Sequence, residues 1–224
     1  MLSAQAGVEV VLTQLAIDDE AVRASTMVLS DIEQRRAERL VNDRDRRRFV
    51  ARRAQLRRLL SDRLGTAPQK IRFSHGEHGK PGLAPPFDSA GLRFSLSHCE
   101  DFAVYALSAG ADVGVDVEAV RVLPDADAIA AFAFSRREQE AYRGLSVRDK
   151  PLGFLNCWTR KEAFVKATGC GLGDPLDFFD VTLAPHEAPR IVRVNDRAGD
   201  DCGWNLGSFS APGLVGALVT ERPS

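Results

Sequence analysis

Two acidic residues alternate with valines in the stretch GVDVE, and their spacing is the first indication of chemistry in this sequence. The valines predict a β-strand, and the side chains of a strand point alternately to its two faces. Asp116 and Glu118 are therefore expected on one face, about 7 Å apart along the strand. Oxygen atoms from two such carboxylates can converge on one divalent cation. The alternative is an exposed strand end that carries two solvated acids.

A third acid falls on a predicted helix, in the stretch 154–172. Trp158, Glu162 and Val165 share one face of that helix at i, i+4 and i+7. An unpaired carboxylate among large apolar side chains is unfavourable, so Glu162 is expected to have a cationic partner. A metal ion would serve, and so would Lys166 one turn later, although such a helix pair contributes only about 0.2–0.5 kcal/mol.

Glu138 fits two roles in its sequence context. The segment from Ser135 to Glu138 reads SRRE, the pattern of a capping box, in which the glutamate reaches back to the backbone N–H of the serine. A helix start also favours an anion or a polarised group. A structural cap and a catalytic acid–base role are therefore both open for Glu138.

Cations are concentrated in one segment of a nearly neutral chain. The 224 residues carry a formal net charge of −1, whereas residues 35–63 contain twelve arginines, no lysine and four acidic residues, which gives that segment a net charge of +8. Such a segment predicts a solvated helix face or an anion site. Arg53 falls within its apolar stripe, where a guanidinium either extends to water or holds a fixed anion such as a phosphate. Arg44 and Arg48 lie one turn apart near the start of the same helix and can join that site.

Two further residues are placed where they can bind an anion. Lys80 lies between Gly79 and Pro81, on a turn that the proline stiffens. His98 follows the segment SLS at a predicted strand end, where it can donate to a phosphate, although a single histidine there is more often structural.

Composition excludes several classes of protein. The chain is 44% hydrophobic and 27% charged, which is typical of soluble globular domains. Its four cysteines form no C-x-x-C pair and do not combine with histidines at zinc spacing, so we expect reduced thiols in a cytoplasmic protein. The sequence shows neither a basic leader nor a long apolar run, and so predicts no signal peptide and no transmembrane helix.

The wider pattern predicts the elements that must position these residues. The first half shows a strand at 8–15, helices that begin at Ser30, pause at Asn42–Asp43 and end at Leu64, a long loop at 74–91, and two strands, LRFSLS and FAVYALS. The second half shows the strand of GVDVE, helices at 125–145 and 152–168, and strands at 179–183, 190–194, 204–210 and 214–220. We predict an α+β fold of two pseudo-symmetric halves, residues 1–109 and 110–224, with a site at their interface.

Taken in chain order, the motifs resemble the Sfp-type 4′-phosphopantetheinyl transferases, the larger class with two halves. The motifs are GKP (79–81), SLSH (95–98), GVDVE (114–118), FSRREQE (134–140), WTRKEAFVKATGCGL (158–172) and PLDFFDV (175–181). The resemblance implies a pseudo-symmetric monomer that binds coenzyme A between its halves. It also implies transfer of 4′-phosphopantetheine to a serine of an apo acyl, polyketide or peptidyl carrier protein, with release of 3′,5′-ADP.

The resemblance further implies roles for individual residues. Asp116, Glu118 and Glu162 would hold Mg²⁺, or alternatively Mn²⁺, against the pyrophosphate of coenzyme A. Glu138 matches the position of the general base, and Lys166 would protonate the leaving 3′,5′-ADP. The implied coenzyme contacts are Arg44, Arg53, Lys80, Ser97, His98, Lys161 and Lys166.

The sequence departs from the family pattern at one position, and its residues would also suit two other functions. Glu33 stands where several members of the family carry a basic residue, and Arg36 is the nearest substitute. The surface for the carrier protein is expected around AFAFSRREQEAYRGL, within 120–155. The same acids would also suit a magnesium-dependent nucleotide phosphodiester hydrolase, and the arginine helix would suit a nucleic-acid-binding protein. Because no nucleic-acid-reading motif is present and the net charge is close to zero, we expect neither nucleic acid nor membrane as a partner.

Overall fold

The structure, a computed structural model, describes residues 7–171, 176–195, 197–199 and 202–222. The N-terminal half contains β1 (Val8–Gln14), α1 (Asp19–Thr26), α2 (Asp31–Glu38), α3 (Asp43–Leu64), β2 (Phe73–His75), β3 (Pro81–Leu83), β4 (Leu92–Cys99) and β5 (Phe102–Ala109). The C-terminal half contains β6 (Val113–Ala119), α4 (Ala126–Ala133), α5 (Arg136–Arg143), α6 (Lys150–Thr168), β7 (Phe179–Val181), β8 (Ile191–Val194), β9 (Arg197–Ala198), β10 (Trp204–Ala211) and β11 (Leu214–Glu221).

Each half is organised around an antiparallel three-stranded sheet, and the two sheets have the same strand order. In the first sheet β1 pairs with β5 and β5 pairs with β4. In the second sheet β6 pairs with β11 and β11 pairs with β10. The first strand of each half therefore pairs with the last strand of that half, after an excursion through helices. This shared order confirms the predicted two-halved, pseudo-symmetric α+β fold.

The start of α3 and the ends of both long helices carry local signals for helix termini. The Asn42 side chain accepts a hydrogen bond from the backbone N–H of Asp45 at 3.2 Å and so caps α3. Gly65 ends α3, and Gly169 ends α6, each in the left-handed conformation that glycine adopts without strain. No helix in the described part of the chain combines the length and the apolarity needed to cross a bilayer.

Three segments differ from the sequence prediction. The pattern did not predict α1, a short helix capped by the side chain of Asp18. The prediction of one long loop at 74–91 is wrong, because β2 and β3 form a hairpin there whose Phe73 and Leu83 pack on the core of the N-terminal half. The predicted helix at 125–145 is two helices, since Ser135 starts a new helix with its own cap.

The two sheets meet in a core to which both halves contribute. Val10 and Val104 from the first sheet are buried in one cluster with Val115 and Leu218 from the second. Strand β4 also runs beside β6, where the Oγ of Ser95 accepts a hydrogen bond from the backbone N–H of Val115 at 3.1 Å. Shared apolar burial and this hydrogen bond fix how the halves sit against each other.

The packing of α6 on β6 depends on one glycine of GVDVE. A Cβ atom on Gly114 would lie 2.0 Å from the carbonyl oxygen of Ala163 and 2.3 Å from the backbone nitrogen of Ala167. These are backbone atoms, so they cannot move aside unless the helix shifts. The absence of a side chain at this position therefore lets Asp116 on β6 and Glu162 on α6 approach each other.

Replacing Gly114 by alanine is expected to push α6 away from β6. We expect the free energy of unfolding to fall by about 3 kcal/mol, because overpacking forces backbone shifts, and denaturant unfolding measures this change. Gly144→Ala is the matched control, since its added Cβ would meet its nearest neighbour at 3.5 Å, an ordinary contact. Wild-type stability of Gly114→Ala would show that the helix does not pack this closely on the strand.

Candidate active site

The first acid of GVDVE is buried where the two halves meet. Asp116 on β6 is 4% exposed. Its Oδ1 accepts hydrogen bonds from the Oγ of Ser97 at 2.6 Å and from the Nζ of Lys166 at 2.7 Å, whereas its Oδ2 is buried with no hydrogen-bond partner among the described residues. Ser97 lies on β4 of the N-terminal half, and Lys166 lies on α6 of the C-terminal half. The interpretation of GVDVE as an exposed strand end with solvated acids is therefore wrong for Asp116.

The acid of the long helix lies at the same place. Glu162 is buried, and its Oε1 has no hydrogen-bond partner in the part of the chain that the structure describes. Burial, together with the negative charges of Asp116 and Glu118, raises the pKa of Glu162 to about 7, and the positive charge of Lys166 opposes only part of this shift. Lys166 forms its ion pair with Asp116. The cationic partner that the sequence predicts for Glu162 is thus still required.

Glu118 completes the acidic group at the end of β6. This side chain is half-buried, and burial raises its pKa first and the charge of Asp116 second. Among the residues that the structure describes, no three His, Cys, Asp or Glu side chains stand close enough to hold a metal ion as they are placed. The chemistry of the three carboxylates nevertheless fits a hard divalent cation, because the donors are all oxygen, two oxygens lack partners, and the group carries excess negative charge.

A cavity of about 520 Å³ opens beside these acids and is lined by both halves. We call it the junction cavity, and Lys80, His98, Glu162 and Lys166 lie in its lining. The ammonium of Lys80 donates to the carbonyl oxygen of Ala167 at 2.6 Å, in the last turn of α6, where the helix dipole favours a cation. The structure thus brings three of the predicted coenzyme contacts to one cavity, next to one of the predicted metal ligands.

Two further cavities extend from the junction cavity. The strand-end cavity, of about 430 Å³, is lined by Glu118 at the end of β6 and shares His98 with the junction cavity. The helix cavity, of about 1260 Å³, lies along α2 and α3 and shares Arg36 and Phe49 with the strand-end cavity. The three cavities adjoin one another, because neighbouring cavities share lining residues. We call the region that they outline, from the acids to the arginine-rich helix, the cleft.

The two arginines that the sequence assigns to phosphate already have protein partners. Arg44 is exposed, lies outside the lining of the three cavities, and donates to Asp101 at 2.7 Å. Arg53 lines the helix cavity, and its Nε donates to Glu33 at 2.6 Å. Burial opposes ionisation of Glu33, but a hydrogen bond from Arg57 and the charges of Arg53 and Arg57 hold its pKa below the ordinary value. The fixed anion expected beside Arg53 is therefore a carboxylate of the chain itself.

Glu138 and Lys161 pair with each other in the interior and not with the cleft. The Oε2 of Glu138 accepts from the Nζ of Lys161 at 2.9 Å and from the backbone N–H of Ser135, and its Oε1 accepts from the backbone N–H of Val181. The Lys161 side chain is 0% exposed and also donates to two backbone carbonyl oxygens. In this structure Lys161 is a buried cation, and Glu138 is a capping-box residue with both carboxylate oxygens engaged. The phosphate contact implied for Lys161 and the general-base role implied for Glu138 stay predictions.

The cleft contains one arginine that the sequence reasoning missed. Arg52 on α3 lines all three cavities. It directly precedes Arg53, and the helical pattern drew attention to Arg53 because that residue falls within the apolar stripe. The available signal was spacing, since Arg48 and Arg52 lie one turn apart on the same face.

Each half of the chain matches a known protein family. Residues 112–219 match the 4′-phosphopantetheinyl transferase superfamily, and residues 17–110 match the family described as 4′-phosphopantetheinyl transferase, N-terminal. The chain is 35% identical over 185 residues to the 4′-phosphopantetheinyl transferase HetI of Nostoc sp., which covers 82% of this chain and 78% of that protein. It is 32% identical over 136 residues to the 4′-phosphopantetheinyl transferase ffp of Bacillus subtilis, which covers 61% of this chain and 57% of that protein. Among solved structures it is similar to the holo-[acyl-carrier-protein] synthase of Thermotoga maritima, with a TM-score of 0.38 and 23% identity, over 50% of this chain and 64% of that chain.

The buried Glu138–Lys161 pair gives a stability prediction. Glu138→Gln is expected to lower the free energy of unfolding by about 3–5 kcal/mol, because it leaves a buried ammonium without its anion. The double variant Glu138→Gln/Lys161→Met removes both charges and should recover part of that loss. Denaturant unfolding measures both effects. A purely catalytic Glu138 would give the opposite pattern, with wild-type stability in Glu138→Gln and no recovery in the double variant.

Proposed function

Because the chain belongs to the 4′-phosphopantetheinyl transferase superfamily, we propose that it transfers the 4′-phosphopantetheine group of coenzyme A to a serine hydroxyl of an apo carrier protein. The serine hydroxyl loses its proton to water and its oxygen forms a bond to the β-phosphorus of the diphosphate. The bond from that phosphorus to the bridging oxygen breaks, and 3′,5′-ADP leaves with the electron pair of that bond. The observation that supports this reaction is the buried acidic group at the junction of the halves, beside a cleft lined with cations.

Asp116, Glu118 and Glu162 are proposed to hold the divalent metal ion. Bound there, Mg²⁺ or Mn²⁺ would neutralise negative charge on the diphosphate. Ser97 and Lys166 both bond to the Oδ1 of Asp116, so they fix the orientation of the carboxylate and leave its Oδ2 available. Hydrogen bonds of this kind orient ligand side chains in metal sites generally.

Coenzyme A is proposed to lie along the cleft, with its diphosphate in the junction cavity. Lys80, His98 and Lys166 line that cavity and supply positive charge or hydrogen-bond donors. The Lys166 side chain is 29% exposed, so its ammonium can reach a ligand while it stays bonded to Asp116. We assign to Lys166 the delivery of a proton to the leaving 3′,5′-ADP, whereas Ser97 acts indirectly by holding Asp116.

The carrier protein is proposed to dock on an apolar and basic surface of α4 and α5. Phe132 is 94% exposed at the end of α4, and Arg136 and Arg143 are exposed on α5. A carrier serine that stands at a helix start among acidic residues would complement this surface in charge and would bury the phenylalanine. A fatty-acid, polyketide or nonribosomal-peptide carrier would each meet this description.

We also propose that the protein is a cytoplasmic monomer. All four cysteines are free thiols, and Cys99 and Cys157 are buried. Unpaired cysteines are usual in proteins of a reducing compartment.

The transfer itself is tested by intact mass. The protein is incubated with coenzyme A, MgCl₂ and a panel of unmodified carrier proteins, and we expect the mass of at least one carrier to rise by one phosphopantetheine group. The same carrier with its serine replaced by alanine is the control and should not change. Hydrolysis of coenzyme A with no change in any carrier mass would point to the hydrolase and would contradict the transferase.

Glu162→Gln tests the metal site by a measurement other than turnover. Since the raised pKa of about 7 lies above the ordinary value of 4.5, ionising Glu162 destabilises the fold progressively as the pH rises from about 4.5 to 7. At pH 8 and without divalent cations, Glu162→Gln should therefore have a Tm equal to or above that of the wild type.

On addition of MgCl₂, the wild-type Tm should rise because the ion binds the folded state, whereas the Tm of Glu162→Gln should rise much less. Glu140→Gln, an exposed residue of α5, is the matched control and should behave as the wild type. An equal rise in the wild type and in Glu162→Gln would remove Glu162 from the metal site.

A further inference from the structure

Arg52 differs from the other arginines of its helix because, within the described residues, its guanidinium has neither a carboxylate nor a hydrogen-bond partner. Seven of the nine arginines of α3 form ion pairs with carboxylates. Arg58 donates to the hydroxyl of Ser25. In the described part of the chain, Arg52 forms no ion pair, and its Nε is buried without any hydrogen-bond partner.

The surroundings of Arg52 make this unpaired charge unfavourable. Burial lowers the pKa of Arg52, and the positive charges of Arg53 and Arg36 lower it further. The charge of Arg53 is offset by Glu33, but Arg36 rests with its guanidinium 5.3 Å from the centre of the Phe49 ring. A buried guanidinium beside a second cation, with no carboxylate paired to it, is a position that an external anion would stabilise.

The location of Arg52 indicates where such an anion would come from. Arg52 lines the junction, strand-end and helix cavities, and Arg36 lines the last two. A ligand that occupies the cleft from the acids to the arginine-rich helix would therefore lie beside Arg52. A guanidinium presents a planar fork of donors that matches the oxygens of a phosphate.

We propose that Arg52, together with Arg36, binds a phosphate group of the substrate at the meeting point of the three cavities. This proposal rests on the proposed function and replaces Arg44 and Arg53, whose guanidinium groups are bonded to Asp101 and Glu33. Arg52 is thus a binding residue whose charge is left unpaired in the free protein and is paired only when the phosphate is present.

The test combines affinity with stability, because a structural arginine and a binding arginine respond in opposite ways. Arg52→Gln is expected to weaken the binding of coenzyme A, measured by calorimetry without carrier protein, by at least about tenfold. The Tm of the unliganded variant should equal or exceed that of the wild type, since an unpaired buried charge has been removed. Arg46→Gln removes an exposed charge from the same helix and should change neither quantity.

Comparison of coenzyme A with dephospho-coenzyme A identifies the phosphate. A loss confined to coenzyme A assigns Arg52 to the 3′-phosphate, and an equal loss for both ligands assigns it to the diphosphate. Affinities within twofold of the wild type for both ligands would overturn the proposal, and so would a lower Tm with affinity intact.

A second variant and a second ligand separate a folding defect from a loss of binding. If Arg52→Gln does not fold, Arg52→Lys keeps the charge but loses the planar fork, and we expect its affinity for coenzyme A to fall at least threefold; unchanged affinity would overturn the proposal. Calorimetry with 3′,5′-ADP does not depend on transfer. A protein that modifies no carrier but binds 3′,5′-ADP through Arg52 would contradict the proposed function and support the Arg52 site. An active enzyme whose ligand affinities do not change when Arg52 is replaced would support the proposed function and contradict the Arg52 site.

Discussion

One carboxylate ties together the parts of this molecule that must act together. Asp116 lies on the first strand of the C-terminal half and bonds to a serine of the N-terminal sheet and to a lysine of α6. The strand can hold this position because Gly114, two residues earlier, lets the helix backbone lie directly on it. The positions of Glu162, Lys166 and the junction cavity all follow from that close approach, since α6 carries or lines each of them.

Several charged groups in the interior have partners of opposite charge, whereas some polar atoms of the cleft lack a hydrogen-bond partner within the described residues. The interior pairs Glu138 with Lys161, and Glu33 with two arginines, and these groups hold the helices in place. In the cleft, by contrast, two buried carboxylate oxygens and one buried guanidinium nitrogen have no partner among the residues that the structure describes. Charges of opposite sign that stay unpaired at two places in one cleft suit a ligand that brings both a cation and phosphate groups.

Much of the fold and part of the site can be predicted from local sequence patterns. The alternation of GVDVE predicts a strand with its acids together, and the predicted helix at 152–168 ends at the same residue as α6. Ser30 and Ser135 were recognised as helix caps, and both have their capping boxes in the structure. These features depend on residues within about one helical turn or a few strand positions of each other, and such relations are written directly in the sequence.

The tertiary structure alone decided which charged groups face the cleft. Arg52 and Arg53 are neighbours with the same chemistry, yet Glu33, on a different helix, pairs with one and leaves the other unpaired. Likewise, Glu138 and Lys161 lie in motifs that resemble catalytic ones, and only the packing of α5 against α6 places them in contact. The sequence determined the residue types and the elements that carry them. Partners from distant parts of the chain determined the rest, because the environment of a charge depends on what folding brings beside it.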